Sequence, residues 1–188
     1  MNHATGATVD LLDYLAAEEA SSVRHEYLGG SVHAMVGGSM RHNRIALNIA
    51  SVLMRQLEGS PCQVFINDMK LHVQAADCVY YPDILVHCNG GIAGSAELVS
   101  DAALIVEVTS DSTEAIDRRE KRAAYLRLPG LRVYWIVSQN EQQAEVHERN
   151  SFGKWQMRTF GPADCLPSAG LTSAPLPLAT VYQGTDLA

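Results

Sequence analysis

One run constrains the fold more than any other: Leu104-Ile105-Val106-Glu107-Val108 is apolar on both faces of an extended chain and is broken by a single acid. Such a strand needs cover by helices on at least one side and belongs in the middle of a sheet. Thr113 to Leu128 then reads as a helix, capped by Ser112 or Thr113 and stopped by Pro129-Gly130, and Val133 to Val137 is strongly β-prone. Strand, helix, strand makes a right-handed crossover.

The rest of the chain is read by its periodicity. Val9 to Tyr27 carries Leu11, Leu12, Leu15, Ala16 and Val23 at helical spacing, with Thr8 as N-cap and Gly29-Gly30 as a stop. Ser31 to Val36 alternates Val32, Ala34 and Val36 inward as a short strand. Ser39 caps a second helix that aligns Ile45, Ile49, Val52, Leu53 and Leu57 and ends at Gly59. From Cys62 the period shortens to two, giving strands at Val64 and Ile66, at Leu71 and Val73, over Tyr81 to Val86 and over Ala103 to Val108. Ala144 to Arg149 and Trp155 to Phe160 flank Asn150-Ser151-Phe152-Gly153 as a hairpin, and Leu166 to Tyr182 is a Pro-interrupted edge or covering segment. The expected class is α/β or α+β with a mixed sheet. No repeat or linker divides the 188 residues, so one domain over 1–188 is expected, with a C-terminal covering segment from about 161.

Composition narrows the function. Fourteen Lys and Arg against 21 Asp and Glu give a formal charge of −7, which excludes the broad basic coat of a protein that binds nucleic acid by bulk electrostatics. Any phosphate contact has to be local. Cys62, Cys78, Cys88 and Cys165 form no CxxC pair and have no His partner at zinc-ligand spacing, so unpaired thiols in a reducing cytoplasm are expected. No basic leader precedes an apolar run, and no stretch approaches the roughly 20 apolar residues of a membrane span.

The sharpest chemical feature is a pair of acids set in apolar strands, Asp83 in Tyr81-Pro82-Asp83-Ile84-Leu85-Val86 and Glu107 in the run above. A carboxylate there is desolvated unless it is paired, hydrogen-bonded or bound to a cation. Each alone reads as a strand-end salt bridge. Together they suit a hard metal such as Mg²⁺, which takes one or two carboxylates, waters and phosphate oxygens. Glu26 falls late in the first predicted helix. His42 is placed to cap the second helix or touch a phosphate, and Asp68 and Lys70 share a strand face as an ion pair or as cleft residues. Between Glu114 and Arg132 six basic residues, Arg118, Arg119, Lys121, Arg122, Arg127 and Arg132, face three acids, a basic island that is either a solvated helix face or a phosphate surface. No HExxH or similar arrangement supports zinc.

Several stretches carry a resemblance as a set: Arg24-His25-Glu26-Tyr27, His42-Asn43-Arg44, Asp68-Met69-Lys70, Tyr81-Pro82-Asp83, Val106-Glu107-Val108-Thr109-Ser110, Asp117-Arg118-Arg119-Glu120-Lys121 with Tyr125, and Tyr134-Trp135. Over about residues 10–160 the chain resembles the PD-(D/E)XK nuclease superfamily, and within it the bacterial putative restriction endonuclease family first catalogued as a domain of unknown function. The resemblance implies a restriction-endonuclease-like mixed central sheet flanked by helices, a DNA substrate, a homodimer, and a site using Mg²⁺ with Mn²⁺ as substitute. It implies Asp83 and Glu107 as metal ligands, Glu26 and Lys121 as further catalytic residues, and His42, Lys70, Arg118 and Arg122 as phosphate or cleft contacts. Thr109 stands where the superfamily carries its lysine, which makes Lys121 the candidate replacement, and Ser31 stands where an acid often follows the glycine after the Glu26 motif. A nuclease fold that binds nucleic acid or a protein without turnover is the alternative that Thr109 favours.

Overall fold

The computed structural model describes residues 8–35, 37–90, 94–109 and 117–188. Val36, the expected caps Ser112 and Thr113, and the Asp117 and Arg118 side chains lie outside that description. The elements in the first half are α1 (Leu11–Glu19), β1 (His25–Leu28), β2 (Ser31–Ala34), α2 (Met40–Gln56), β3 (Gln63–Ile66), β4 (Lys70–Val73), β5 (Cys78–Tyr80) and β6 (Ile84–His87). Then come β7 (Leu98–Val99), β8 (Leu104–Thr109), a π-turn over Asp117–Lys121 that runs into α3 (Arg122–Tyr125), β9 (Val133–Ser138), β10 (Ala144–Arg149) and β11 (Trp155–Phe160). The chain closes with β12 (Cys165–Leu166), β13 (Leu176–Pro177) and α4 (Leu178–Val181).

The strands divide into a six-stranded sheet, β11-β10-β9-β8-β6-β3, and a five-stranded sheet, β2-β1-β5-β4-β7, with β12 and β13 as a separate pair. The six-stranded sheet is mixed because β8 runs parallel to β9 and antiparallel to β6. Alternation sorts its side chains. Leu104, Val106 and Val108 of β8 pack with Ile45, Ile49 and Leu53 of α2, whereas Ile105 packs with Tyr125 and Tyr134 on the other face. That second face also receives Leu71, Val73 and Tyr80 from the five-stranded sheet. Both sides of β8 are therefore buried, as its apolar run requires, and Glu107 points to the same side as Ile105. Ser39 caps α2 by accepting the His42 N–H at 3.1 Å. The tail adds Leu166, Leu176, Leu178, Val181 and Tyr182 to the core under α2.

Four expectations are corrected. The first helix stops at Glu19, where Ser21 turns the chain: its hydroxyl donates to the Val23 carbonyl at 2.7 Å and accepts the Val23 N–H at 3.1 Å. Residues His25–Leu28 are strand, so Glu26 is not late in a helix. Gly29 and Gly30, with φ of 52° and 94°, form the two-residue turn between β1 and β2, where Leu28 faces Ser31. Such a hairpin turn needs positive φ at both central positions, so this glycine pair joins two strands and does not stop a helix. Second, β2 is an edge strand whose described residues are exposed, with Val32 at 40 %, and its apolar residues do not turn inward. Third, Asn67 adopts φ 54° and places Asp68 in the turn before β4, so Asp68 and Lys70 do not share a strand face. Fourth, Cys62 and Cys88 form a disulfide. The β3–β6 register pairs Gln63 with His87, and one step further it sets these two cysteines opposite each other. Cys78 is buried and Cys165 exposed, and both are free.

The short helix that follows β8 is pinned at its C-terminal end. Trp155 Nε1 donates to the Leu126 carbonyl at 3.1 Å, and the Arg149 guanidinium donates to Leu128 and Pro129 at 3.0 and 2.8 Å. These bonds satisfy carbonyls that a helix end leaves open. Among the described residues no helix is long and apolar enough to cross a membrane.

Candidate active site

Asp83 enters the site because β6 begins one residue later and pairs with β8 in the register Ile84↔Val106. Extending that register by one step sets Asp83 opposite Glu107, and facing residues of an antiparallel pair share a side of the sheet. Both line a cleft of about 660 Å³ together with Lys121 and His42. Asp83 Oδ2 accepts the Val108 N–H at 2.7 Å and lies 3.2 Å from His42 Nε2. Both of those contacts fall on one carboxylate oxygen, and Oδ1 takes part in neither.

Glu107 is almost fully buried, at 3 % exposure. Its Oε1 accepts the Tyr125 hydroxyl at 2.8 Å and the Lys121 ammonium at 3.3 Å. Burial, then the negative charges of Glu107 and Glu26, push the Tyr125 phenol well above its ordinary value, so it stays protonated and donates. Lys121 also pairs with Glu26 Oε1 at 3.0 Å, and that same oxygen accepts the Tyr81 N–H at 3.4 Å. The ammonium therefore sits between carboxylates from β1 and β8, with the Tyr80 ring centroid 5.7 Å away. Ala124 and Tyr125, three and four residues on, are buried at 4 % and 0 %, which fixes this side of the helix inward. The π-turn ends at Lys121, and π-turns of this kind recur at functional sites.

The structure thus brings Glu26, Asp83, Glu107, Lys121 and His42 together. Of the other candidates Asp68 lines the same cleft, whereas Lys70 and Arg122 do not. Lys70 Nζ pairs with Glu97 at 3.0 Å, and Asp68 pairs with Arg24, so the expected Asp68–Lys70 pair is replaced by two others. Arg122 is half-buried on α3 outside the cleft lining, and the Arg118 side chain lies outside the described residues. Gln139, which follows β9, lines the cleft and accepts the Ser39 hydroxyl at 2.5 Å. No sequence motif marked it, because only the parallel pairing of β8 with β9 carries it there. Gly38 allows the wall to close: a Cβ at that position would lie 2.8 Å from the His42 ring.

The donor set suits a hard cation. Asp83 and Glu107 supply carboxylate oxygens, and among the described residues no cluster of three or more His, Cys, Asp or Glu forms a protein cage. Mg²⁺ prefers this composition, with one or two carboxylates and the remaining positions filled by water and phosphate oxygen. Among the described lining residues there is no cysteine and one histidine, so zinc and other soft-ligand metals find neither a thiolate nor paired imidazoles here.

The chain is similar to known proteins in sequence and in fold. The chain is 31 % identical over 174 residues to the uncharacterized protein slr1290 of Synechocystis sp., covering 92 % of this chain and 90 % of that protein. It is 26 % identical over 154 residues to a second uncharacterized protein of Synechocystis sp., sll1609, covering 81 % and 87 %. Its fold is similar to the crystal structure of a putative nuclease belonging to DUF820 from Anabaena variabilis, with a TM-score of 0.77 and 18 % identity over 93 % of this chain and 97 % of that one. The Uma2 family, described as "Putative restriction endonuclease", matches residues 11–179, and the chain belongs to that family.

Proposed function

We propose that the protein is a divalent-metal-dependent endonuclease that hydrolyses DNA phosphodiester bonds. One observation carries the reading: Asp83, Glu107 and Lys121, from three separate stretches of the chain, line a single cleft. In it Asp83 and Glu107 would hold Mg²⁺, or Mn²⁺ in its place, which when bound would supply Lewis-acid polarisation of the phosphodiester and a lowered water pKa. Lys121 supplies positive charge beside the phosphate and orients the attacking water, and Glu26 holds the ammonium in position. Tyr125 fixes the Glu107 carboxylate through its hydroxyl, and the Val108 N–H does the same for Asp83. His42 stands beside Asp83 as a contact for a phosphate oxygen. One cleft addresses one strand, so a homodimer is the form expected to break a duplex.

Thr109 favours the alternative, a nuclease fold without turnover. Its hydroxyl donates to the Val137 carbonyl at 3.4 Å and offers no positive charge. Lys121 answers that deficit, because its ammonium reaches Glu107 from the next helix at 3.3 Å. The test is nicking of supercoiled DNA by purified protein with and without Mg²⁺ or Mn²⁺. The reading expects cleavage that needs the ion, weakens as salt rises and disappears in Glu107→Ala. Binding without cleavage under all ions would establish the alternative, and cleavage unchanged in Glu107→Ala would mark a contaminant.

A further inference from the structure

A second charged pair stands at the cleft. Arg24 Nη2 meets Asp68 Oδ1, and both residues line the cavity that holds Asp83 and Glu107. The Arg24 backbone is fixed, since its carbonyl accepts the Met35 N–H at 2.8 Å. The Asp68 turn is fixed too: Asn67 N–H donates to the Asp83 carbonyl at 3.1 Å, which ties this turn directly to the candidate metal ligand. The two side chains, by contrast, are 51 % and 71 % exposed. Exposed ion pairs contribute little, so this one opens easily.

The charges of the cleft give the pair a role. Lys121 is engaged by Glu26 and Glu107. Among the described residues Arg24 is the one arginine in the cleft lining. Asp68 is a third lining carboxylate beside Asp83 and Glu107, and it has no place in the metal donor set proposed above. A guanidinium binds phosphate with the same two-pronged geometry it uses for a carboxylate. We propose that Arg24 is a phosphate-binding residue of this cleft and that Asp68 is its displaceable counter-ion, exchanged for a backbone phosphate when nucleic acid enters. The exchange keeps Arg24 paired in both states and leaves Asp68 to solvent. This inference rests on the phosphodiester reading above.

The experiment measures binding of a fluorescent DNA duplex by anisotropy across a salt series, with Ca²⁺ as the divalent ion, for the parent, Arg24→Ala, Asp68→Asn and the double variant. Thermal melts check that each is folded, and Arg24→Lys serves as the conservative substitution. Arg24→Ala should weaken binding and flatten the plot of log affinity against log salt by about one contact. Asp68→Asn should tighten binding by up to about fivefold, the scale of an exposed pair, and should gain nothing when Arg24 is already alanine. Arg24→Lys should bind between the parent and Arg24→Ala. Equal tightening by Asp68→Asn in both backgrounds would mean simple repulsion and overturn the exchange, as would Arg24→Ala binding like the parent. A parent that binds no DNA at any salt would remove the phosphodiester reading itself, and this inference with it.

Discussion

Glu18 and Glu107 are both buried carboxylates, at 8 % and 3 % exposure, and each accepts a tyrosine hydroxyl at 2.8 Å, from Tyr81 and Tyr125 respectively. They differ in what completes their surroundings. Glu18 also takes the His25 N–H at 2.8 Å and lies 3.0 Å from His25 Nδ1, so its partners tie α1 to β1 and to the segment before Asp83. Glu107 shares an ammonium with a second acid and faces a cleft. A buried acid outside the cleft, whose donors come from the elements it joins, holds structure together. One that shares a cation with another acid at a cleft is placed for chemistry. The two regions are connected, since His25 precedes Glu26 and Tyr81 lies two residues before Asp83.

Substitutions should separate the two. Glu107→Gln keeps an acceptor for Tyr125 but removes the charge, and it should lower DNA cleavage by more than about 10³-fold while the protein still melts cooperatively. A variant that cuts at a tenth of the parent rate would erase the distinction. Lys121→Ala should cost about 10²–10³-fold in cleavage, with metal binding by calorimetry retained. If it cuts at the parent rate, the ammonium beside Glu107 is only structural. Glu18→Ala should act the other way: urea unfolding should show a loss of about 1.5–3 kcal/mol, from a charged group's hydrogen bonds, with the rate per folded molecule kept. A loss of rate without a loss of stability would place Glu18 with Glu107.

The smallest expected effect is one of pH. Burial pushes the Glu18 carboxyl up, but bonds from the His25 N–H, the Tyr81 hydroxyl and the His25 ring outweigh it and hold the group below its ordinary 4.5. A depressed carboxyl contributes stability that is fully present above that ordinary value and is lost as pH falls through the lowered one. The acid limb of the stability curve should therefore be shallower in Glu18→Gln than in the parent. Identical limbs would show that Glu18 has no such linkage.

Much of this was legible in the sequence because burial leaves marks on residue type. The Leu104-Ile105-Val106 run announced a covered strand, and the Ile45 to Leu57 stripe announced the helix over it. Asp83 and Glu107 stood out as acids in apolar strands, and their meeting follows from strand register. What escaped was set by pairing over distance. β5 and β7, three and two residues long, are too short for a period to show, so the split into two sheets was invisible. Cys62 and Cys88 are 26 residues apart and meet only through the β3–β6 register. The resemblance points to Glu26, but the helical spacing of Leu11, Leu12, Leu15, Ala16 and Val23 runs on past the Ser21 turn and so puts it in the wrong element. Arg24 and Asp68 carry no local signal of their pairing.

On the proposed reading Asp83 and Glu107 share one cation beside Lys121. Crystals soaked in Mn²⁺ and measured at its absorption edge test this directly. A single anomalous peak is expected, with one oxygen of Asp83 and one of Glu107 each about 2.1 Å away and the Lys121 ammonium alongside. A peak on other residues, or no peak with Lys121 still bonded to Glu26 and Glu107, would contradict it.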